Sequence, residues 1–141
     1  EPGMELEAKN RLGRIGFDRV LGYVDQPFDI LRTHAEHVRI ASRLTPAELE
    51  QRRRDLPKVQ LVDVRNPGEH ALGALPDAIN IPVSQLPARL TEIDPQLPTV
   101  VYCAGGYRSS VAASVLRASG FGDVSDLLGG YGAWAQTAPP T

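Results

Sequence analysis

The chain has 141 residues, 42% of them hydrophobic, which is enough for one ordinary globular domain and a short appendage but cramped for two full domains. Fifteen Lys and Arg against seventeen Asp and Glu leave a formal net charge of -2, so no electrostatic footprint for nucleic acid or an anionic membrane surface is present. A single cysteine excludes an internal disulfide, and no apolar run approaches the roughly 18 to 20 residues of a bilayer span, so a cytoplasmic, reducing setting is expected.

In chain order, the first feature is Leu12-Gly13-Arg14-Ile15-Gly16-Phe17-Asp18-Arg19-Val20, which lies over Leu116-Arg117-Ala118-Ser119-Gly120-Phe121-Gly122-Asp123-Val124. Both describe a helix that ends at glycine and feeds a short strand. Such junctions arise by chance in α/β chains. Read as a repeat, residues 1 to about 25 are the tail of a preceding related module. Residues 26 to 43 are then a linker, with Phe28, Ile30, Leu31, Val38 and Ile40 available for docking. His34 and His37 stand three apart, a spacing that on a helix could ligate a metal, but no acidic or cysteine ligand pattern accompanies them and a solvated helix is the expectation. The run Arg52-Arg53-Arg54 likewise reads as a solvated helix face.

Thr45-Pro46-Ala47-Glu48 combines a hydroxyl cap, a proline at the first helical position and a glutamate three residues after the cap, so a short helix should run to just before Pro57. Val59 to Val64 is a short apolar run of the kind that makes a buried parallel strand, closed by Asn66-Pro67-Gly68. Ala78 to Ile81 is a weaker strand stopped by Pro82. Ser84 is placed to cap a short helix through Leu90, and Thr99 to Cys103 forms a third strand. From Arg108 to Ser119, Val111, Val115 and Leu116 recur at helical spacing, with Ala112 and Ala118 filling the face and Gly120 as the stop. Asp123 to Leu127 is a further strand and Tyr131 to Gln136 a last short helix. This alternation argues for an α/β fold with a parallel sheet covered on both faces, in which ligands bind beyond the carboxyl ends of the strands. Cys103 falls at such an end.

A lone cysteine is ordinarily a small buried hydrophobe, so its surroundings decide its meaning. Cys103-Ala104-Gly105-Gly106-Tyr107-Arg108-Ser109 lies between a strand and a helix, where backbone amides can turn inward and Gly105 and Gly106 permit positive φ. The helix start adds unpaired N–H groups and the positive end of the helix dipole, so an anionic sulfur is favoured. Arg108 is the fixed cation, able to meet an oxyanion through two N–H groups. Ser109 either donates to the sulfur or caps the helix.

The loop Cys103-x-x-Gly106-x-Arg108-Ser109 resembles that of the single-domain rhodaneses, the thiosulfate sulfurtransferases, and the resemblance extends over residues 44 to 138. Leu61 to Glu69 is similar to the family's first signature and Gly73 to Pro82 to its second, with Ala74 in place of the usual histidine and Asp77 in place of the usual glycine; Leu128-Gly129-Gly130-Tyr131-Gly132-Ala133-Trp134 closes the domain. The resemblance implies a five-stranded parallel sheet with helices on both faces. It implies sulfur transfer from thiosulfate or a low-molecular-weight persulfide to a thiol or cyanide, through a Cys103 persulfide. In that scheme Cys103 and Arg108 are catalytic, Ala104, Gly105, Gly106, Tyr107 and Ser109 bind substrate, Asp63 and Arg65 are structural support, and no metal or organic cofactor is needed. His70 is expected to be a solvated turn residue rather than a lining of the sulfur pocket, Tyr107 to be exposed, and Trp134 to be core.

Two other readings are carried. The same fold hosts phosphatases and arsenate reductases, but the phosphatase loops of this fold hold one more residue between cysteine and arginine than the four here, and the tighter cradle suits a sulfur atom better than a phosphate. The other is a persulfide carrier or sensing module. Residues 7 to 20 look like the end of a degenerate first rhodanese module in bacterial fusions with a metallo-β-lactamase-fold domain, which makes residues 1–43 a remnant plus linker, residues 44–138 the rhodanese domain, and the fused metal domain the expected partner.

Overall fold

The computed structural model describes residues 3–37 and 40–137, and divides into two compact units, residues 1–40 and 41–141. The first unit holds helix α1 (Glu5–Arg14), helix α2 (Pro27–Thr33) and a 3-10 turn, Ala35–His37. No strand occurs among its described residues, so the strand expected after Gly16 is not formed: the unit offers no ladder partner for residues 17–24. The helix end expected there is present. Ile15 N–H bonds Leu12 C=O at 3.1 Å, Gly16 N–H bonds Gly13 C=O at 3.1 Å and Phe17 N–H bonds Leu12 C=O at 3.0 Å; Ser119, Gly120 and Phe121 make the same three bonds to Leu116, Arg117 and Leu116. Gly16 and Gly120 share φ +92°. His34 follows α2 and is separated by the turn's start from His37, so the two do not share one continuous helix. Val38 and the His37 side chain lie outside the described residues.

The second unit builds one parallel sheet from β1 (Ser42–Leu44), β2 (Gln60–Asp63), β3 (Ile79–Asn80), β4 (Thr99–Tyr102) and β5 (Val124–Leu127), in the order β1-β5-β4-β2-β3. Its helices are α3 (Pro46–Asp55), α4 (Pro67–Ala71), α5 (Tyr107–Ala118) and α6 (Gly130–Thr137). The Thr45 cap forms as expected: its hydroxyl accepts from Glu48 N–H at 3.3 Å while the Glu48 carboxylate accepts from Thr45 N–H at 2.7 Å. The helix expected after Ser84 resolves into two 3-10 turns, Leu86–Ala88 and Leu90–Glu92, because Pro87 contributes no N–H to a continuing helix.

Every residue of β2, β4 and β5 is buried, as expected of central strands covered on both faces. Side chains alternate across the sheet. Leu61, Val100, Tyr102 and Leu127 join Leu49 of α3 and Leu75 in one core, against which Tyr131 and Trp134 of α6 pack. Val62, Val101 and Val124 point to the opposite face. Trp134 is thus part of the packing, with its indole N–H donated to Glu50 at 3.1 Å. The fifth strand, β1, is held on β5 by a Ser42–Ser125 hydroxyl contact of 2.7 Å and by Arg43, whose guanidinium donates to both carboxylate oxygens of buried Asp126.

Candidate active site

Cys103 is the first residue past β4, and the loop from Cys103 to Gly106 delivers the chain into α5. The thiol is buried, with 1% of the residue exposed, yet it does not sit in an apolar wall. Gly106 N–H points at Sγ at 3.1 Å, and Ser109 Oγ lies 3.7 Å away while donating its own proton to the Gly106 carbonyl at 3.1 Å. Burial pushes the Cys103 pKa up, but the Ser109 amide and hydroxyl and the Gly106 and Gly105 amides together pull it below its ordinary value. The sulfur is therefore a buried atom set for negative charge. Of the two glycines, only Gly106 uses the left-handed region, with φ +107°; Gly105 is exposed, has no such φ, and has nothing within 4 Å of where a side chain would begin.

What aims the amides is the start of α6. Tyr131 N–H takes the Cys103 carbonyl at 2.7 Å and Gly132 N–H takes the Ala104 carbonyl at 3.2 Å, so both loop carbonyls are drawn away from the sulfur. That approach needs Gly130, whose φ is +58° and whose absent Cβ would stand 2.2 Å from Cys103 O and 2.8 Å from Ala104 C and O. Sequence reasoning saw the Gly129-Gly130 pair only as the domain's closure. Its function is visible only once the two loops meet in space.

Arg108, the second residue of α5, makes a two-pronged pair with Glu69 of α4: Nη1 to Oε2 at 2.7 Å and Nη2 to Oε1 at 2.8 Å. Glu69 holds Arg108 firmly protonated, and Cys103 adds to this; Arg108 in turn holds the Glu69 carboxyl below the usual range. Glu69 was not among the expected site residues. Its spacing from Asn66 signals a helix cap, which it is, accepting Asn66 N–H at 3.1 Å, but nothing in the sequence pairs it with a residue 39 positions later. Tyr107 is exposed at the start of α5, as are Ala104 and Gly105, whereas Gly106 and Ser109 are buried.

Asp63 and Arg65 do not touch the sulfur in any described hydrogen bond. Their fully buried pair closes at 2.6 Å, with Arg65 also donating to the Gly73 carbonyl at 2.7 Å and lying 4.4 Å over the Tyr131 ring. Burial raises the Asp63 pKa and is outweighed by Arg65 and His70, which bring it below its ordinary value. His70 directs Nδ1 to Asp63 at 2.9 Å, so it belongs to this support cluster. Tyr102 completes it by accepting Leu75 N–H at 3.1 Å; burial pushes its phenol well above the usual range. This cluster ties β2, the α4 turn and α6 together beneath the loop. Among the described residues no group of three or more His, Cys, Asp or Glu could hold a metal, and no helix is long and apolar enough to cross a membrane.

A cysteine loop at the carboxyl end of a parallel sheet, with its amides turned on the sulfur, defines a class of α/β proteins that work through an anionic cysteine. Within that class the chain belongs to the rhodanese family: residues 45–137 match the model of the Rhodanese-like domain. It is 39% identical over 101 residues to a sulfurtransferase of Allochromatium vinosum, covering 72% of this chain and 94% of that protein. It is 37% identical over 105 residues to protein YqhL of Bacillus subtilis, covering 74% and 81%. Among solved structures it is similar to a rhodanese-like domain protein from Staphylococcus aureus, with a TM-score of 0.62, 34% identity, and coverage of 66% and 90%. The chain is a rhodanese-like sulfurtransferase in fold and family.

Proposed function

We propose that the chain moves sulfane sulfur from thiosulfate or a low-molecular-weight persulfide to a thiol or cyanide through a persulfide on Cys103. The Cys103 thiolate attacks the outer sulfur of the donor, the bond between the donor's two sulfurs breaks, and its electron pair leaves with sulfite or with the donor thiolate. The persulfide left on Cys103 is an anion, and the donors that favour the thiolate favour it too. Arg108 faces the donor's anionic end, Ala104 to Tyr107 and Ser109 form the cradle, and Asp63 and Arg65 hold it in place. No metal or organic cofactor takes part in these steps. The observation that carries this reading is the Gly106 N–H aimed at a buried Sγ from 3.1 Å.

The test is the intact mass after incubation with thiosulfate, with and without cyanide. A gain of one sulfur that cyanide removes, absent in Cys103→Ser, supports the reading; a wild-type protein that gains no sulfur from thiosulfate or from glutathione persulfide refutes it.

A second reading is a persulfide carrier or sensing module that receives sulfur from a partner and turns over little free thiosulfate. It is favoured by one observation, the Arg108 fork already filled by Glu69. Charging by glutathione persulfide but not by thiosulfate separates it from the first. On the organisation of the chain, the expected boundary at residue 44 moves back to the start of β1, because Ser42 and Arg43 pair with Ser125 and Asp126 in the sheet; we take residues 42–138 as the working domain and the residues before them as the remnant of a related module with its linker, a reading supported by the helix end shared between Gly16 and Gly120. The relatives reported above lend no support to a metallo-β-lactamase-fold partner. The single cysteine is in keeping with a reducing, cytoplasmic setting.

A further inference from the structure

The Glu69–Arg108 pair has a consequence for which sulfur donor the site takes. Arg108 is the cation nearest the sulfur in the loop's own sequence, and a rhodanese-type donor such as thiosulfate brings two negative charges to it. Each terminal nitrogen of the guanidinium nevertheless gives one of its N–H groups, at 2.7 Å and 2.8 Å, to one carboxylate, so the cation is already ion-paired. That carboxylate is not a mobile surface group. Its Oε2 also accepts the Asn66 N–H at the start of α4, so the fork is anchored on α4 and bridges to α5. Both side chains are mostly covered, with 22% and 35% exposed, so solvent screens the pair only in part. The positive charge at the entrance to the sulfur is thereby cancelled.

We propose that Glu69 sets the charge selectivity of the donor: by neutralising Arg108 it disfavours dianionic thiosulfate relative to donors that carry a single negative charge. The inference rests on sulfur transfer through Cys103 as proposed above and names the donor class for that site. Glu69 touches neither sulfur nor donor; it acts through Arg108 and is a positioning residue. A role confined to holding Arg108 in place would slow every donor alike, whereas cancellation of charge changes one donor against another.

Two donors differ in this respect and in little else. Thiosulfate and the methanethiosulfonate anion both present a sulfane sulfur bonded to an oxidised sulfur, one as a dianion and the other, with a methyl group replacing an oxygen, as a monoanion. In both, Cys103 takes the sulfane sulfur and the electron pair of the broken S–S bond departs with the leaving group, sulfite or methanesulfinate. The rate constants for charging Cys103, read from the intact mass over time, give a thiosulfate-to-methanethiosulfonate ratio. Glu69→Gln keeps an acceptor for Asn66 N–H and removes the charge. Its ratio should rise about tenfold, the effect expected of one partly buried charge roughly 10 Å from another. The gain should fade as salt is added, and Glu69→Gln combined with Arg108→Gln should return the ratio toward that of the wild type. A ratio that changes less than about twofold in Glu69→Gln, while both donors still charge Cys103, overturns the inference and leaves sulfur transfer standing. Failure of both donors to charge even the wild type removes sulfur transfer itself, and the inference with it.

Discussion

Gly130→Ala tests how the cradle is built. The residue sits at φ +58°, where an L side chain costs about 1–2 kcal/mol, and the new methyl would meet Cys103 O at 2.2 Å and Ala104 C at 2.8 Å. These are backbone atoms that cannot rotate aside. Restoring ordinary contact requires about 1 Å of separation between the start of α6 and the loop, which stretches the Tyr131-to-Cys103 and Gly132-to-Ala104 hydrogen bonds at about 1 kcal/mol each. The total comes to roughly 3–4 kcal/mol, or a fall in Tm of about 12–30 °C for a domain of roughly 100 residues. With its carbonyls released, the loop no longer presents its amides to Sγ, so the Cys103 pKa should rise as well. Thermal unfolding by circular dichroism reads the first effect, and the pH dependence of iodoacetamide alkylation reads the second. Gly105→Ala is the control, with open space at its Cβ and an expected change within about 0.5 kcal/mol. A Gly130→Ala protein with the wild-type Tm and the wild-type alkylation profile would refute the claim that α6 aims the loop.

Ser109→Ala removes the hydroxyl 3.7 Å from Sγ, whose proton turns from the Gly106 carbonyl to the sulfur when the thiolate forms, so the Cys103 pKa should move up and the rate of persulfide formation at neutral pH should fall several-fold, measured by stopped-time mass spectrometry. Tyr102→Phe leaves the buried Leu75 N–H without its acceptor and should cost about 1–3 kcal/mol in urea unfolding, with no change in the pH profile of alkylation. Asp63→Asn strands a buried guanidinium and should cost about 3–5 kcal/mol at pH 7. Because the Asp63 pKa is lowered by folding, its contribution is complete above the unfolded value of about 3.9 and is lost as pH falls through the folded one. The gap in Tm between wild type and Asp63→Asn should therefore narrow below about pH 4; a constant gap would contradict the charged pair.

Elements whose signals are local were legible in the sequence. The Thr45 box, the apolar strands β2, β4 and β5 and the start of α5 each depend on residues a few positions apart, whereas the supporting role of Asp63 and Arg65 was expected only through the family resemblance. What was not legible depends on distant partners. β1 is only Ser42-Arg43-Leu44, with no apolar pattern of its own, and it becomes a strand because Ser125 and Asp126, 83 residues away, receive it. Glu69 looks like a cap and is also the partner of Arg108. Gly105 and Gly106 look equivalent in sequence, but only one turns left-handed, and the decisive left-handed approach to the loop comes from Gly130 in another element. Of the inward amides expected of this loop, Gly106 N–H makes the described hydrogen bond to the sulfur, and the Gly105 and Ser109 amides join it in lowering the Cys103 pKa.

The most direct test of the account is the titration of the Cys103 thiol, followed by thiolate absorbance in the wild type against Cys103→Ser. Burial alone would lift it above the free-thiol value of about 8.5; the converging amides predict a midpoint below that value. A thiol that titrates at or above 8.5 would contradict a cradle built for anionic sulfur.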